Sequence, residues 1–251
     1  METIRATETE AKLPATLQRD RFLSRVPNGA ALWFGLANKL GIDPQQSPAL
    51  LGSGTKGSAY RVGDQALKLT TDTAEARAAA HVRKLPDPDG RVMRVSRVFV
   101  LLGLNNETGY AILTELLGPA EDAWADMADT WIGGHITPDS VENFFESNVK
   151  IPKSVTPELW AEYREWLTGV ARYLERIGVL FSDLWADNLM RRSDGQHVLI
   201  DLGYSESQGA VENMADDTIA SMLMEVARRV RRVIRARRVF ARYDPGCEEN
   251  S

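Results

Sequence analysis

Three glycines and a lysine near residue 60 have the types and spacing that could bind the phosphates of a nucleotide. Gly52, Gly54 and Gly57 follow the pattern G-x-G-x-x-G in LGSGTKGSAY, and Lys68 follows in QALKLT. Glycine has no Cβ, so the backbone N–H groups of such a segment can approach a phosphate closely. A lysine adds a positive charge for the phosphate oxygens. Glycine-rich turns are common, however, and a surface hairpin without a ligand would have the same composition.

The order of these residues distinguishes between three kinds of glycine-rich loop. A P-loop has its lysine directly after the last glycine, whereas Lys56 precedes Gly57. A dinucleotide-binding fingerprint opens a helix, whereas Gly57 leads into SAYRV, which is typical of a strand. The third kind is a β-hairpin that covers a triphosphate and carries its lysine on the returning strand. Lys68 fits only this third arrangement.

A second group of polar residues lies in the C-terminal half, in FSDLWADNLM and DLG. Asp183 and Asn188 are followed by two apolar segments, 189–192 and 197–200, and then by Asp201. An antiparallel pair of strands in these segments would return Asp201 to the side of Asn188. Each residue alone is also typical of a turn or a strand end, but the whole set occurs in a compatible order.

This order of motifs resembles the protein-kinase-like family over about residues 46–240. The resemblance implies an α+β fold with two lobes, a small antiparallel β lobe and a reduced helical lobe. It implies ATP and Mg²⁺ as cofactors, with the glycine-rich loop and Lys68 on the phosphates and with Asn188 and Asp201 as the metal ligands. Asp183 would then accept the proton of the attacking hydroxyl.

Further residues follow from the same resemblance. The segment YAILTELL is similar to the last strand of the small lobe, which makes Thr114 the gatekeeper and places the backbone of Glu115 and Leu117 against the adenine. A buried strand without a ligand would have the same apolar pattern. A glutamate on the following helix should pair with Lys68, and Glu75 is the candidate. Capping the start of that helix is the alternative role for Glu75.

The chain departs from the family pattern at two places. Phe181 and Ser182 stand where a histidine is usual, and the 50 residues after Asp201 contain no A-P-E element. The sequence resembles small phage-encoded Ser/Thr protein kinases, because Gly203 follows Asp201 by two positions as in D-L-G. The motif D-L-W-x-x-N is also similar to the corresponding motif of fructosamine and aminoglycoside kinases. The phosphate acceptor is therefore predicted to be a protein hydroxyl, with a small molecule as the alternative.

Composition is typical of a globular protein, with 43% hydrophobic and 26% charged residues. The single cysteine, Cys247, excludes an intrachain disulfide and favours a reducing cytoplasm, which would be a host cytoplasm if the gene belongs to a phage. No apolar run has the length of a membrane span, so no membrane partner is expected. Eight arginines and no acid lie between Arg228 and Arg242. They predict either a solvated helix face or a site for an acidic protein or nucleic acid, which a catalytically inactive binding module could also use.

The predicted elements divide the chain into four parts. These are an N-terminal helical extension (1–45), a β-rich lobe with the glycine-rich loop (46–117), a helical lobe (118–242) and a polar tail (243–251). Within them we predict helices at 28–41, 73–84, from 157 to Gly178 and at 214–241, and strands at 58–62, 65–70, 92–102, 109–116, 189–192 and 197–200. Residues 1–27 are predicted to be polar and frayed at the start.

Overall fold

The chain folds into a mixed α+β architecture, seen in a computed structural model that describes residues 1–6, 11–54, 56–131, 134–147 and 149–202 and the backbone of 206–207. The strands are β1 (Glu2–Arg5), β2 (Ala49–Ser53), β3 (Gly57–Val62), β4 (Gln65–Thr70), β5 (Val95–Leu102), β6 (Thr108–Glu115), β7 (Gly118–Pro119), β8 (Val179–Leu180), β9 (Leu189–Arg191), β10 (His197–Leu199) and β11 (Glu206–Ser207). The α-helices are α1 (Gly29–Leu40), α2 (Thr73–Lys84), α3 (Asp122–Ala128), α4 (Pro138–Glu146) and α5 (Pro157–Arg176).

Six strands of the first half form one sheet in the order β1-β5-β6-β4-β3-β2. Its two faces pack against different layers because side chains alternate along each strand. On β4, Leu67 and Leu69 belong to the core beneath α1, whereas on β6 Ile112 belongs to the core shared with α2 and the second half. The bounds of β4 and α2 are those predicted from the sequence, and those of β3, β5 and β6 differ by one to three residues at an end.

The N-terminal segment is part of this sheet, and the prediction of a frayed start is wrong. β1 pairs in parallel with β5, from Glu2 opposite Phe99 to Arg5 opposite Leu102. The turn between residue 20 and α1 is anchored by Asp20, which is 1% exposed and accepts a 2.9 Å hydrogen bond from the Tyr60 hydroxyl on β3. Local composition could not indicate this strand, because its partner lies more than 90 residues away in the sequence.

Helix α1 covers the sheet with one apolar side. Leu32, Trp33 and Leu36 on that side are fully buried. The helix ends at Gly41, as predicted, with a left-handed φ of 71° that glycine adopts without strain. Asn28, a residue type that often caps helices, occupies the N-cap position, but its side chain makes no capping hydrogen bond.

The second half is built around α5. This helix begins after Thr156, whose side chain accepts a hydrogen bond from the Leu159 N–H, and it has Pro157 at its first position. Its buried face includes Tyr163, Trp166 and Leu167. The Trp166 indole N–H donates to the His197 carbonyl at 3.0 Å. The hydrogen bond fixes β10, and with it the β9–β10 hairpin, to the helix.

The hairpin is also bonded to the first half. The Met93 N–H donates to the Leu199 carbonyl at 3.0 Å, and the Leu199 N–H donates to the Arg91 carbonyl at 2.8 Å. β7 pairs with β9 on the other side. Residues 1–208 accordingly form one compact unit.

Several predictions concern residues outside this description. The predicted helix 214–241, the arginines from Arg228 to Arg242, the polar tail and Gly203 lie outside the described residues. Within the described ranges, no helix combines the length and the apolar character needed to cross a bilayer.

Candidate active site

Lys68 is the centre of the candidate site. On β4 its neighbours Leu67 and Leu69 face the core beneath α1, so the two-residue period of the strand directs Lys68 toward α2. There its Nζ lies 2.5 Å from Glu75 Oε1 and 2.7 Å from Asp201 Oδ1. These three residues come from β4, from α2 and from the segment after β10. One lysine therefore joins the sheet to the second half of the chain.

Glu75 reaches Lys68 because another residue caps α2. The Asp72 side chain accepts hydrogen bonds from the N–H groups of Ala74, at 2.9 Å, and Glu75, at 3.3 Å. The cap therefore belongs to Asp72, and the Glu75 carboxylate turns inward instead, with 2% of it exposed. Of the two roles that the sequence left open for Glu75, the structure has the pairing with Lys68.

Burial and charge act in opposite directions on these groups. Burial raises the pKa of Glu75 to about 7; the charge of Lys68 opposes this shift and the charge of Asp201 adds to it. Burial alone would lower the pKa of Lys68, but the carboxylates of Glu75 and Asp201 outweigh it and hold that pKa above its ordinary value. Lys68 therefore remains a cation at neutral pH, as phosphate binding requires.

We expect Glu75→Gln to change how stability depends on pH. A carboxyl whose pKa rises from 4.5 to about 7 on folding binds more protons in the folded chain between those pH values. Its contribution to stability is therefore present below pH 4.5 and is lost as the pH rises toward 7. The free energy of unfolding of the wild type, relative to the variant, should fall by up to about 3 kcal/mol across this window.

Urea unfolding at a series of pH values measures this difference. Glu158→Gln is a suitable control, because hydrogen bonds at the start of α5 lower the pKa of the exposed Glu158. Its difference should be small and of opposite sign. An unfolding free energy whose pH dependence is the same in the wild type and in Glu75→Gln would contradict the raised pKa.

The loop that carries Asp183 is held from several sides. The Asp183 carboxylate accepts hydrogen bonds from the Trp185 indole N–H and from Asn188 Nδ2, the latter at 3.2 Å. Asn188 Nδ2 also donates to the Asp183 carbonyl at 2.7 Å. At the end of α3, Asp129 accepts a hydrogen bond from the Ala186 N–H at 3.0 Å. Because the Trp185 side chain is 7% exposed, it fixes the carboxylate to a buried anchor.

The β9–β10 hairpin returns the chain to Asn188, as the sequence predicts. Its register pairs Leu189 with Leu199, and the Ile200 N–H then donates to the Asn188 carbonyl at 2.8 Å. Asp201 therefore directly follows a residue that is hydrogen-bonded to Asn188. Its φ is 52°, a left-handed conformation that aspartate adopts more readily than most residues other than glycine.

The three glycines of the hairpin differ in whether close packing requires a residue without a Cβ. A Cβ on Gly57 would lie 2.2 Å from the Leu69 carbonyl oxygen, so close pairing of β3 with β4 requires glycine there. A Cβ on Gly52 would have no atom within 4 Å, and one on Gly54 only the Gly57 oxygen at 3.9 Å. Packing therefore does not explain Gly52 and Gly54, which leave an open surface along the hairpin.

Thr114, Glu115 and Leu117, the residues predicted to surround the adenine, lie at the end of β6 and directly after it. The Thr114 hydroxyl lies 3.4 Å from the Ala66 carbonyl oxygen and 3.3 Å from that of Glu115. Leu117 is partly buried against the core of the second half. The chain continues from Glu115 into β7 and the second half. The Glu115 side chain contacts Arg192.

Arg192 is a residue that the sequence did not single out. Its Nε lies 2.7 Å from Glu115 Oε2 and its Nη2 lies 2.6 Å from Glu115 Oε1. Its Nη1 donates to the Gly90 carbonyl and to the Gln196 side chain. The arginine is 8% exposed. It therefore ties the end of β6 to the β9–β10 hairpin, and because its partners are up to about a hundred residues away, no local pattern could have indicated it.

We expect Arg192→Met to be strongly destabilising. Removing one partner of a buried ion pair leaves the other charge without compensation, which typically costs about 3–5 kcal/mol. Glu115→Gln should cost less, and a double-mutant cycle should show coupling between the two sites. The neighbouring Arg191 forms an exposed ion pair with Glu121, so Arg191→Met should change the unfolding free energy by about 1 kcal/mol or less. Equal effects of both arginine substitutions in chemical unfolding would contradict this assignment.

Comparison with known proteins gives no match: no protein-family model matches the chain, and no curated protein matches it significantly.

Proposed function

We propose that this protein transfers the terminal phosphoryl group of ATP to a hydroxyl acceptor, with Mg²⁺ as cofactor. The observation that carries the proposal is the ion-paired Lys68, held between Glu75 and Asp201 at 2.5 and 2.7 Å. The second carboxylate, Asp201, lies at the end of a hairpin with 37% of its side chain exposed, where a metal–phosphate complex can reach it.

The fold supports the same proposal. The sheet with its glycine-rich hairpin and α2 corresponds to the small lobe of a protein-kinase-like fold, and α3 to α5 with the β9–β10 hairpin correspond to a reduced helical lobe. The candidate residues lie where these two parts are bonded together, through Lys68–Asp201 and the pairing of residues 91–93 with Leu199.

The residues present fit ATP with Mg²⁺. The open surface at Gly52 and Gly54 can receive phosphates against the backbone, and Lys68 can supply charge to them. Asn188 and Asp201 offer one amide and one carboxylate oxygen for the metal. Among the described residues, no three His, Cys, Asp or Glu side chains are grouped to hold a metal by themselves. In this proposal Mg²⁺ would be held by one or two carboxylates together with substrate phosphates, as is usual for that ion.

In this proposal Asp183 is the general base. ATP supplies the phosphoryl group and Mg²⁺ neutralises its charge. The acceptor oxygen bonds to the terminal phosphorus, the bond to ADP breaks, and the hydroxyl proton passes to Asp183. The Trp185 and Asn188 hydrogen bonds orient the carboxylate before the acceptor arrives, which is how positioned groups accelerate proton transfer.

We propose a serine or threonine hydroxyl of a protein as the acceptor. The D-L-G order at Asp201 is the form found in protein kinases and favours a protein acceptor over a small molecule. Fructosamine and aminoglycoside kinases also usually carry a larger helical insertion that builds the pocket for their substrate. Incubation of the purified protein with γ-labelled ATP and Mg²⁺, alone and with cell lysate, tests the proposal. Label in protein supports it, label in a small molecule indicates the alternative acceptor, and no transfer together with no ATP binding would overturn it.

A further inference from the structure

Lys56 occupies a position in the glycine-rich hairpin that the proposed function does not use. It lies between Gly54 and Gly57, and its Nζ is 2.5 Å from Asp72 Oδ2. The lysine side chain is 45% exposed, whereas that of Asp72 is 7% exposed. The Lys56 carbonyl accepts a 3.1 Å hydrogen bond from the Thr71 N–H. The backbone of Lys56 is therefore fixed beside α2, and its charged end is at the surface.

Asp72 does not need Lys56 to cap the helix. Its Oδ1 accepts the hydrogen bonds from the Ala74 and Glu75 N–H groups, and the other oxygen, Oδ2, contacts Lys56. Lys56 balances the charge of the buried Asp72 carboxylate, and because half of the lysine side chain is exposed, solvent can reach this contact. The helix cap itself does not depend on the lysine, so Lys56 can change partner without loss of the cap.

Two lysines converge on the first turn of α2. Asp72 is its N-cap and holds Lys56, while Glu75 is three residues later and holds Lys68. Lys68 comes from inside the sheet and Lys56 from the tip of the hairpin beside the open surface of Gly54. The two positive charges thus lie at the same end of the helix, on the side where the proposed function has the phosphates.

We propose that Lys56 is a second phosphate-binding cation, which exchanges its contact with Asp72 for the terminal phosphates of the bound nucleotide. This rests on the proposed function. A lysine is a point charge on a flexible four-carbon chain, so it can change partner while its backbone stays in place. Terminal phosphates carry more negative charge than a single carboxylate and can therefore compete with Asp72 for it. The contribution of Lys56 should then grow with the number of phosphates.

Substitutions at the two partners should have opposite effects on nucleotide affinity. Lys56→Gln removes the cation and should weaken ATP binding by about tenfold, the size of one charge-assisted contact, while AMP binding changes little. Asp72→Asn removes the competing charge but keeps the helix cap, since asparagine caps as well as aspartate. It should tighten ATP binding several-fold. If the pair only clamps the hairpin to α2, both substitutions should weaken binding of ATP and AMP alike.

The experiment is calorimetric titration of the full chain with MgATP, MgADP and AMP at low and moderate salt. Lys84→Gln, an exposed lysine at the other end of α2, is the matched control and should leave all affinities unchanged. Lys56→Arg should retain the preference for ATP over AMP, and thermal melting without nucleotide checks that each variant is folded. An unchanged ratio of ATP to AMP affinity in Lys56→Gln, or weaker ATP binding in Asp72→Asn, would overturn the inference. Wild-type protein that binds none of the three nucleotides would instead refute the proposed function, and the inference with it.

Discussion

Replacing Asp183 with alanine is expected to reduce the rate of phosphoryl transfer by about 10²–10⁴-fold, the contribution typical of a positioned general base. Affinity for MgATP should stay close to that of the wild type. The reason is that Asp183 acts on the acceptor hydroxyl, whereas Lys68 and Asp201 act on the nucleotide. A loss confined to turnover is the kinetic pattern of an interaction made mainly in the transition state. Single-turnover rates and nucleotide titration measure the two quantities separately.

Asp187 provides the matched control for this substitution. It lies in the same short loop, four residues after Asp183, but its side chain is exposed. Asp187→Ala should therefore keep both turnover and nucleotide affinity. If Asp183→Ala transfers phosphate as fast as the wild type, then Asp183 is not the base. If Asp187→Ala loses as much activity as Asp183→Ala, the loop as a whole has been disturbed and the assignment to one carboxylate fails.

The geometry of the loop gives a further reason for expecting a large effect. Trp185 and Asn188 both donate to the Asp183 carboxylate. The same contacts fix its orientation. Alanine removes the base and the acceptor of these two hydrogen bonds, but the 2.7 Å hydrogen bond from Asn188 Nδ2 to the backbone carbonyl of residue 183 does not depend on the side chain and keeps Asn188 in place.

The sequence predicted those parts of the site that depend on local order. Lys68 follows the glycines across a single hairpin, and Asp201 follows Asn188 across another. In both cases a short turn fixes the register, so alternation along the strands decides which side chains share a face. The bounds of β4 were predicted correctly in this way, and those of α2 from the helix propensity of its alanines.

Contacts between distant segments could not be predicted in this way. The pairing of β1 with β5, the tie between Arg192 and Glu115, and the support of the Asp183 loop by Asp129 all join residues more than 50 positions apart. None of them leaves a periodic pattern in one sequence. The cap at Asp72 was a local signal that was overlooked: Asp72 directly precedes the first residue of α2, and aspartate is a preferred N-cap residue.

Replacing Asp201 with asparagine is expected to remove the effect of Mg²⁺ on ATP binding. The amide keeps the size of the side chain but not the charge that a divalent cation requires. ATP at about 100 times its dissociation constant should stabilise the wild type by about 2.7 kcal/mol. The part of this stabilisation that depends on Mg²⁺ should be absent in the variant. Thermal melting with ATP, in the presence of Mg²⁺ or of a chelator, measures that part directly.

The control for Asp201 lies in the same hairpin. Asp194 is exposed in the turn between β9 and β10, where its Oδ1 accepts a 3.0 Å hydrogen bond from the Gln196 N–H. Asparagine can accept the same hydrogen bond, so Asp194→Asn should respond to Mg²⁺ as the wild type does. Asp201→Asn also removes the charge from the 2.7 Å contact with Lys68, so each variant must be compared with its own melting temperature without ligand. After that correction, an Mg²⁺ effect of wild-type size in Asp201→Asn would exclude Asp201 as a metal ligand. It would leave Lys68 as the residue that binds the phosphates, and Asp201 as its structural partner.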